Sequence, residues 1–152
     1  DRVGLYTSGT EWGPSVHNTV KLGSSSFRWS EIWSVNGLNQ SSDARLKKDI
    51  LPLSNSLDKV MKMNPVSYHW KVDDGNTHIG FLAQELDEVL PEVVRKPVGR
   101  QASADDARTV NPQDDVYAVN YSEIIPVLVK AIQEQQEIIR QLEERIVKME
   151  NK

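Results

Sequence analysis

The chain has no cysteine, which excludes disulfides, thiol nucleophiles and thiolate-held metals. Histidine is nearly as scarce. His17, His69 and His78 are the whole supply, and no HxxxH or HExxH spacing is present, so a zinc enzyme is not expected. Basic charge is not in excess: 18 Lys and Arg stand against 22 Asp and Glu, a net charge of −4. A nucleic-acid or anionic-membrane surface would need the opposite balance. No apolar run is long enough to span a bilayer, and no signal peptide begins at Asp1. Asp1 is not an initiator, so the sequence reads as a piece of a longer protein. Its 152 residues suffice for one ordinary domain plus an appendage. A hydrophobic fraction of 38% suits a modest core, or one shared between chains.

What is present falls into three stretches. Residues 1–41 are rich in Ser, Gly, Asn and Trp. Leu5-Tyr6-Thr7 and Thr19-Val20-Lys21-Leu22 read as short strands cut by Gly, Pro and Ser. Ile32, Ser34 and Asn36 alternate with Trp33, Val35 and Gly37, as on a strand, and Trp29 and Trp33 are spaced as on a helical turn before it. This segment holds Trp12, Trp29 and Trp33, three of the four tryptophans. So short a segment cannot bury three indoles within one chain. It is either a frayed linker or, the preferred reading, a segment whose aromatics pack between chains in a fibrous β-structured stalk.

From Asp49 to about Tyr121 the pattern is that of a small mixed domain. Ser54 or Ser56 is placed to cap a helix running to Lys62, with Leu57, Val60 and Met61 apolar, and Asn64-Pro65 ends it. Val66–Lys71 alternates as a strand, Asp73–Asn76 is a turn, and His78–Leu82 returns as the second arm of a hairpin. Ala83–Leu90 is an amphipathic helix with Leu82, Leu86, Val89 and Leu90 inward, closed by Pro91. Glu92–Val94 is a brief strand, residues 96–114 a long surface loop, and Val116–Val119 the last strand. His69 and His78 come close in the hairpin. Two imidazoles without a third ligand are more often structural than a metal site, and no metal is assigned. Glu85, Asp87 and Glu88 read as solvated surface charge and not as a glycosidase pair.

From Ser122, placed as a cap, one helix runs on, with Pro126 tolerated in its first turn. Ile125, Ile132, Ile139 and Ile146 recur every seventh residue. Leu128, Gln135, Leu142 and Met149 follow each by three. This is an a/d heptad seam. Such a helix needs a partner, either a copy of itself or its own domain. Ile at a with Leu at d favours dimers, whereas Gln135 at d is a polar layer able to select another state.

At the junction of the first two stretches lies Ser42-Asp43-Ala44-Arg45-Leu46-Lys47-Lys48. A serine hydroxyl and a neutral lysine amine can form a hydrolytic pair without histidine. In water the lysine is protonated; burial or nearby positive charge must neutralise it, and Arg45 and Lys48 flank it. Alone, the pair is as well read as solvated surface.

Ser42–Ile50, Met63–Tyr68, Ile79–Leu86, Val89–Val94 and Val119-Asn120-Tyr121 before a long helix together resemble the peptidase S74 domain. This is the intramolecular chaperone, auto-processing domain of phage tail spikes, tail fibres and endosialidases. The resemblance implies an α+β fold: a β-structured stalk end at 1–41, a chaperone domain with a hairpin and short helices at 42–121, and a coiled-coil helix at 122–152. It implies a homotrimer, in place of the dimer the heptad favours. It also implies autoproteolysis with Ser42 as nucleophile and Lys47 as base. Asp43 and Arg45 would shape the site, Ser41, Ser42 and Asp43 would span the cut, and the bond broken is left open. Partners would be further copies of the chain and their upstream fibre or spike stalk, with no cofactor, metal, nucleic acid or membrane. The setting would be a virion tail-fibre precursor assembled in the host cytoplasm. A non-cleaving trimeric fibre tip or receptor-binding module of the same fold is the alternative.

Overall fold

The computed structural model describes residues 5–8, 11–24, 28–71, 74–97 and 116–151. The chain divides into two compact units. Among the described residues, the first holds those up to Gly37 together with Val116. The second holds Leu38–Pro97 and everything from Tyr117 on.

In the first unit, β1 (Leu5–Ser8) pairs antiparallel with β2 (Glu11–Pro14), with Leu5 opposite Pro14 and Ser8 opposite Glu11. The expected strand at Leu5–Thr7 is therefore present. Those at Thr19–Leu22 and Ile32–Asn36 are not, nor is a helical turn across Trp29 and Trp33. Alternation supplies a face but no hydrogen-bonding neighbour, and a lone strand has nowhere to place its backbone groups. Trp33 and Val35 are 89% and 99% exposed.

The second unit carries the core. A single 3₁₀ turn spans Ala44–Leu46, and α1 follows at Ser56–Lys62. Its end is set by Asn64-Pro65, since a residue before proline is driven out of the helical region. β3 (Pro65–Tyr68) pairs antiparallel with β4 (His78–Phe81), Pro65 opposite Phe81 and Tyr68 opposite His78. In the connecting loop the Asp74 carboxylate accepts from the Asn76 backbone N–H at 3.0 Å. Asp73 lies outside the described residues. His78 Nε2 meets Asp74 Oδ2 at 2.8 Å and its ring stacks on Tyr68, whereas His69 Nε2 meets Thr77 Oγ1 at 3.1 Å. The two imidazoles thus take separate partners. Among the described residues no cluster of His, Asp and Glu could hold a metal ion, and no helix is long and apolar enough to cross a membrane.

α2 (Ala83–Val89) presents Leu86 to the core, and Leu90 just beyond it is also buried. Leu82, expected inward, is exposed. Pro91 starts a 3₁₀ turn to Val93, so the brief strand begins only at Val94, as β5 (Val94–Arg95), paired with β6 (Ala118–Val119). The expected 96–114 loop lies outside the described residues from position 98 on. The core is a single cluster of Leu86, Leu90, Val93, Val94, Ile124 and Val127, flanked by Val60, Met63, Phe81, Ala83, Tyr117 and Val119.

The long helix, α3, runs Ile124–Glu150. A 3₁₀ turn at Tyr121–Glu123 precedes it, so Ser122 is not its cap. Pro126 falls in the first turn of α3, where its missing N–H has no intrahelical acceptor to lose. One stripe of α3, Ile124, Val127 and Ala131, is buried against the domain. The neighbouring stripe is the heptad seam, and Ile125, Leu128, Ile132, Gln135, Ile139, Leu142, Ile146 and Met149 are all exposed. The helix therefore does fold onto its own domain, but with a different face from the one its seven-residue period marks.

Candidate active site

The Ser42–Lys48 stretch is built around the 3₁₀ turn. Asp43 caps it: Oδ1 accepts from the Arg45 backbone N–H at 2.9 Å. The Arg45 guanidinium returns to grip the same carboxylate, with Nη2 to Oδ2 at 2.7 Å and Nε to Oδ1 at 3.1 Å. That grip, reinforced by the backbone contact, holds the Asp43 carboxyl below the ordinary carboxylate range and raises Arg45. Leu46 N–H donates to Asp43 O and Lys47 N–H to Ala44 O, both at 3.1 Å. The turn folds the chain back over five residues. Lys47 Nζ then donates to Ser42 Oγ at 2.8 Å. Beyond it, Asp49 takes a left-handed conformation, φ 53°, and the chain leaves in a new direction.

All four side chains are exposed in the single chain. Arg45, read from the sequence as a cation pressing on Lys47, is instead spent on Asp43. Its contact with that carboxylate closes over the turn, a pairing the spacing alone did not disclose. Ser41, also exposed, precedes Ser42 directly. The seam residues, from Ile125 to Met149, lie along α3 and have no part in this contact.

Three further contacts were not predictable from local pattern. Gln40 Nε2 donates to Ser122 Oγ at 3.3 Å, tying the segment before Ser42 to the turn that opens α3. Tyr121 Oη accepts from the Phe81 N–H at 3.1 Å, its ring stacked on Phe81. Glu134, which the heptad places on a polar position, accepts from the Leu57 N–H at 2.8 Å.

With this geometry in hand, comparison with known proteins is specific. Residues 42–95 match the Peptidase_S74 family, described as the chaperone of endosialidase. That segment contains Ser42, Lys47 and four of the five sequence blocks that carried the resemblance. The resemblance read from the sequence is borne out.

Among curated proteins, the long tail fiber protein Gp37 of Enterobacteria phage K3 is 38% identical over 79 residues, covering 46% of this chain. Gp37 of Enterobacteria phage T2 matches to the same extent. Depolymerase 1, capsule K3-specific, of Klebsiella phage KP32 is 31% identical over 97 residues, covering 59% of this chain and 11% of its own length. The chain spans only 6% of the length of the Gp37 relatives.

Among solved structures, the carboxy-terminal domain of the bacteriophage T5 L-shaped tail fiber with its intramolecular chaperone domain aligns with a TM-score of 0.57. It covers 86% of this chain and 38% of that one at 18% identity. That likeness is one of fold: small antiparallel sheets with a long C-terminal helix.

Proposed function

We propose that the chain is the C-terminal intramolecular chaperone of a phage tail fibre or spike. In this reading it gathers three copies, sets their upstream β-structured segments in register, and is then released by self-cleavage at Ser42. The observation that carries this is the 2.8 Å contact of Lys47 Nζ with Ser42 Oγ, inside the segment that matches the chaperone family. The exposed apolar seam of α3 supplies the means of gathering copies. Three chains held by their C-terminal helices meet at high local concentration, which offsets the slow, entropically costly registration of long-range β-pairing.

An ammonium donates to the hydroxyl, whereas a base must accept from it. In the single chain Lys47 is exposed to water. Packing of three copies around the stalk would strip that water, so that a neutral amine and a hydroxyl meet only in a finished assembly. The least strained attack open to Ser42 is on the preceding carbonyl. Oγ bonds to the Ser41 carbonyl carbon as Lys47 takes the hydroxyl proton. The C–N bond to Ser42 then breaks as that proton passes to the leaving nitrogen. Water hydrolyses the resulting ester, leaving a Ser41 carboxylate and a restored Ser42 hydroxyl. Cutting the chain would make assembly hard to reverse, a kinetic form of stability. The setting is a virion fibre precursor assembled in the host cytoplasm.

The exposure of both Ser42 and Lys47 favours a second reading, a fibre tip of the same fold that trimerises without cutting itself. Intact mass and light scattering on residues 1–152 separate the two. Cleavage yields a fragment beginning at Ser42 or Asp43, absent from Ser42→Ala and Lys47→Ala. A trimer of one full-length mass supports the tip instead. A monomer in dilute solution overturns both.

A further inference from the structure

The segment leading into Ser42 forms neither helix nor strand, so no backbone ladder fixes it. It is nevertheless held. Gln40 Nε2 donates to Ser122 Oγ at 3.3 Å across 82 positions of sequence. Ser122 Oγ in turn donates to Asn120 Oδ1 at 2.8 Å. A serine hydroxyl has one proton and two lone pairs. Giving the proton to Asn120 turns a lone pair toward the Gln40 amide, so the relay runs in one direction.

The receiving end is rigid. Asn120 N–H donates to Val93 O at 2.8 Å, and Val93 lies in the buried core. Between the two relay residues, Tyr121 is pinned by the Phe81 N–H and by stacking on Phe81. Its hydroxyl fills the space over Gly80, where a Cβ would come within 2.5 Å. Asn120 and Tyr121 are thus tied to Val93 and Phe81, and Ser122 beside them receives Gln40.

We propose that Ser122, oriented by Asn120, is the seat for Gln40, and that this seat positions the chain entering the cut. The inference rests on the reading of Ser42 as the cleavage residue. Two residues span at most about 7 Å, so fixing Gln40 restricts where the Ser41 and Ser42 carbonyls lie relative to the hydroxyl. Reactions of this kind lose large factors to displacements of an ångström. Asn120 directly precedes, and Ser122 lies in, the 3₁₀ turn that leads into α3, so the seat is set when α3 is docked. Helix docking and cleavage are thereby coupled within one chain. Ser122 and Asn120 are positioning residues here, acting through Gln40.

The test uses the full chain. Ser122→Ala and Gln40→Ala each slow self-cleavage about tenfold, and the double variant is no slower than either single one. Ser122→Thr, which keeps the hydroxyl, restores most of the rate. Subunit number and melting temperature stay at wild-type values throughout, which a merely structural contact would not predict alongside a lost rate. Wild-type rates in the single variants, or losses that multiply in the double, overturn the proposal. Hydrogen exchange then provides an arm independent of chemistry. In a Lys47→Ala background, which keeps the chain whole, adding Ser122→Ala speeds exchange of amides 38–42 if the seat exists. Unchanged exchange overturns it. A wild-type chain that never cuts itself, yet shows this faster exchange, refutes the cleavage reading and leaves the seat standing.

Discussion

The backbone N–H of Leu57 donates to the carboxylate of Glu134 at 2.8 Å, although the two are 77 positions apart. Leu57 lies in the first turn of α1, whose preceding residue, Asn55, is left-handed (φ 54°) and makes no side-chain cap. Ser56, placed by the sequence as a cap, is 1% exposed. The long helix thus caps the short one. Glu134→Ala should cost about 1 kcal/mol, the usual scale of a lost cap, and Glu134→Gln, which keeps an acceptor, well under half of that. Urea unfolding at one fixed protein concentration checks this, since association with other copies would otherwise shift the apparent stability.

Gly80 is the second point of leverage. An added methyl would sit 2.5 Å from Tyr121 Oη, but 3.5 Å from Tyr121 Cζ and 3.4 Å from the Tyr68 ring. Gly80→Ala should therefore destabilise by about 1–3 kcal/mol, the range for overpacking. Tyr121→Phe should cost about 1 kcal/mol through loss of the Phe81 hydrogen bond. The pair together should be less destabilised than the sum, because removing the hydroxyl opens the space the methyl needs. A double-mutant cycle by thermal or urea unfolding reads the difference.

A charge in the seam should separate assembly from folding. Ile139→Asp or Leu142→Asp removes about 2–3 kcal/mol of apolar burial per chain, enough to weaken association about 100-fold. The domain should stay folded, because the buried residues of α3, Ile124, Val127 and Ala131, all precede these two positions. Light scattering should report single chains while the tryptophan fluorescence of the domain persists.

Arg140 reaches both Glu137 and Glu144 on the exposed length of α3, and Gln141 also donates to Glu137. The hydrogen bond from Arg140, then that from Gln141, lowers the Glu137 pKa from 4.5 to about 2. The folded helix thus favours the charged carboxylate. Its contribution is present above pH 4.5 and is lost as pH falls through about 2. Helicity followed by circular dichroism should drop over that window, and Glu137→Gln should lack that part of the drop. The group is about half exposed, so the effect is small and shrinks with salt.

Much of the second unit could be read locally. The alternation of Val66–Tyr68 against His78–Phe81, the prolines at 65 and 91, and the heptad from Ile125 onward each act over a few residues, and each element appears. The Ser42–Lys47 spacing also closed into contact. What escaped was decided at long range. Glu134 caps α1, Ser122 receives Gln40, and Tyr121 fills the space at Gly80, and none of these partners is within 30 positions of the other. The first unit misled for the opposite reason. Ile32–Asn36 has the period of a strand, but period specifies only which side chains share a face. It does not supply the second backbone a strand must pair with.

Every residue from Gln135 to Glu150 is exposed, a length of about 24 Å at 1.5 Å per residue. Ala131 is the last buried residue of α3 and Glu134 bonds to Leu57 just beyond it, so the rod past that point adds no buried residue to the domain. It is a replaceable ferrule. On the proposed reading of three copies, a three-stranded zipper spliced on after Glu134 with the helical phase kept should hold them as well. One of different strand number would show whether count is dictated there or by what lies upstream.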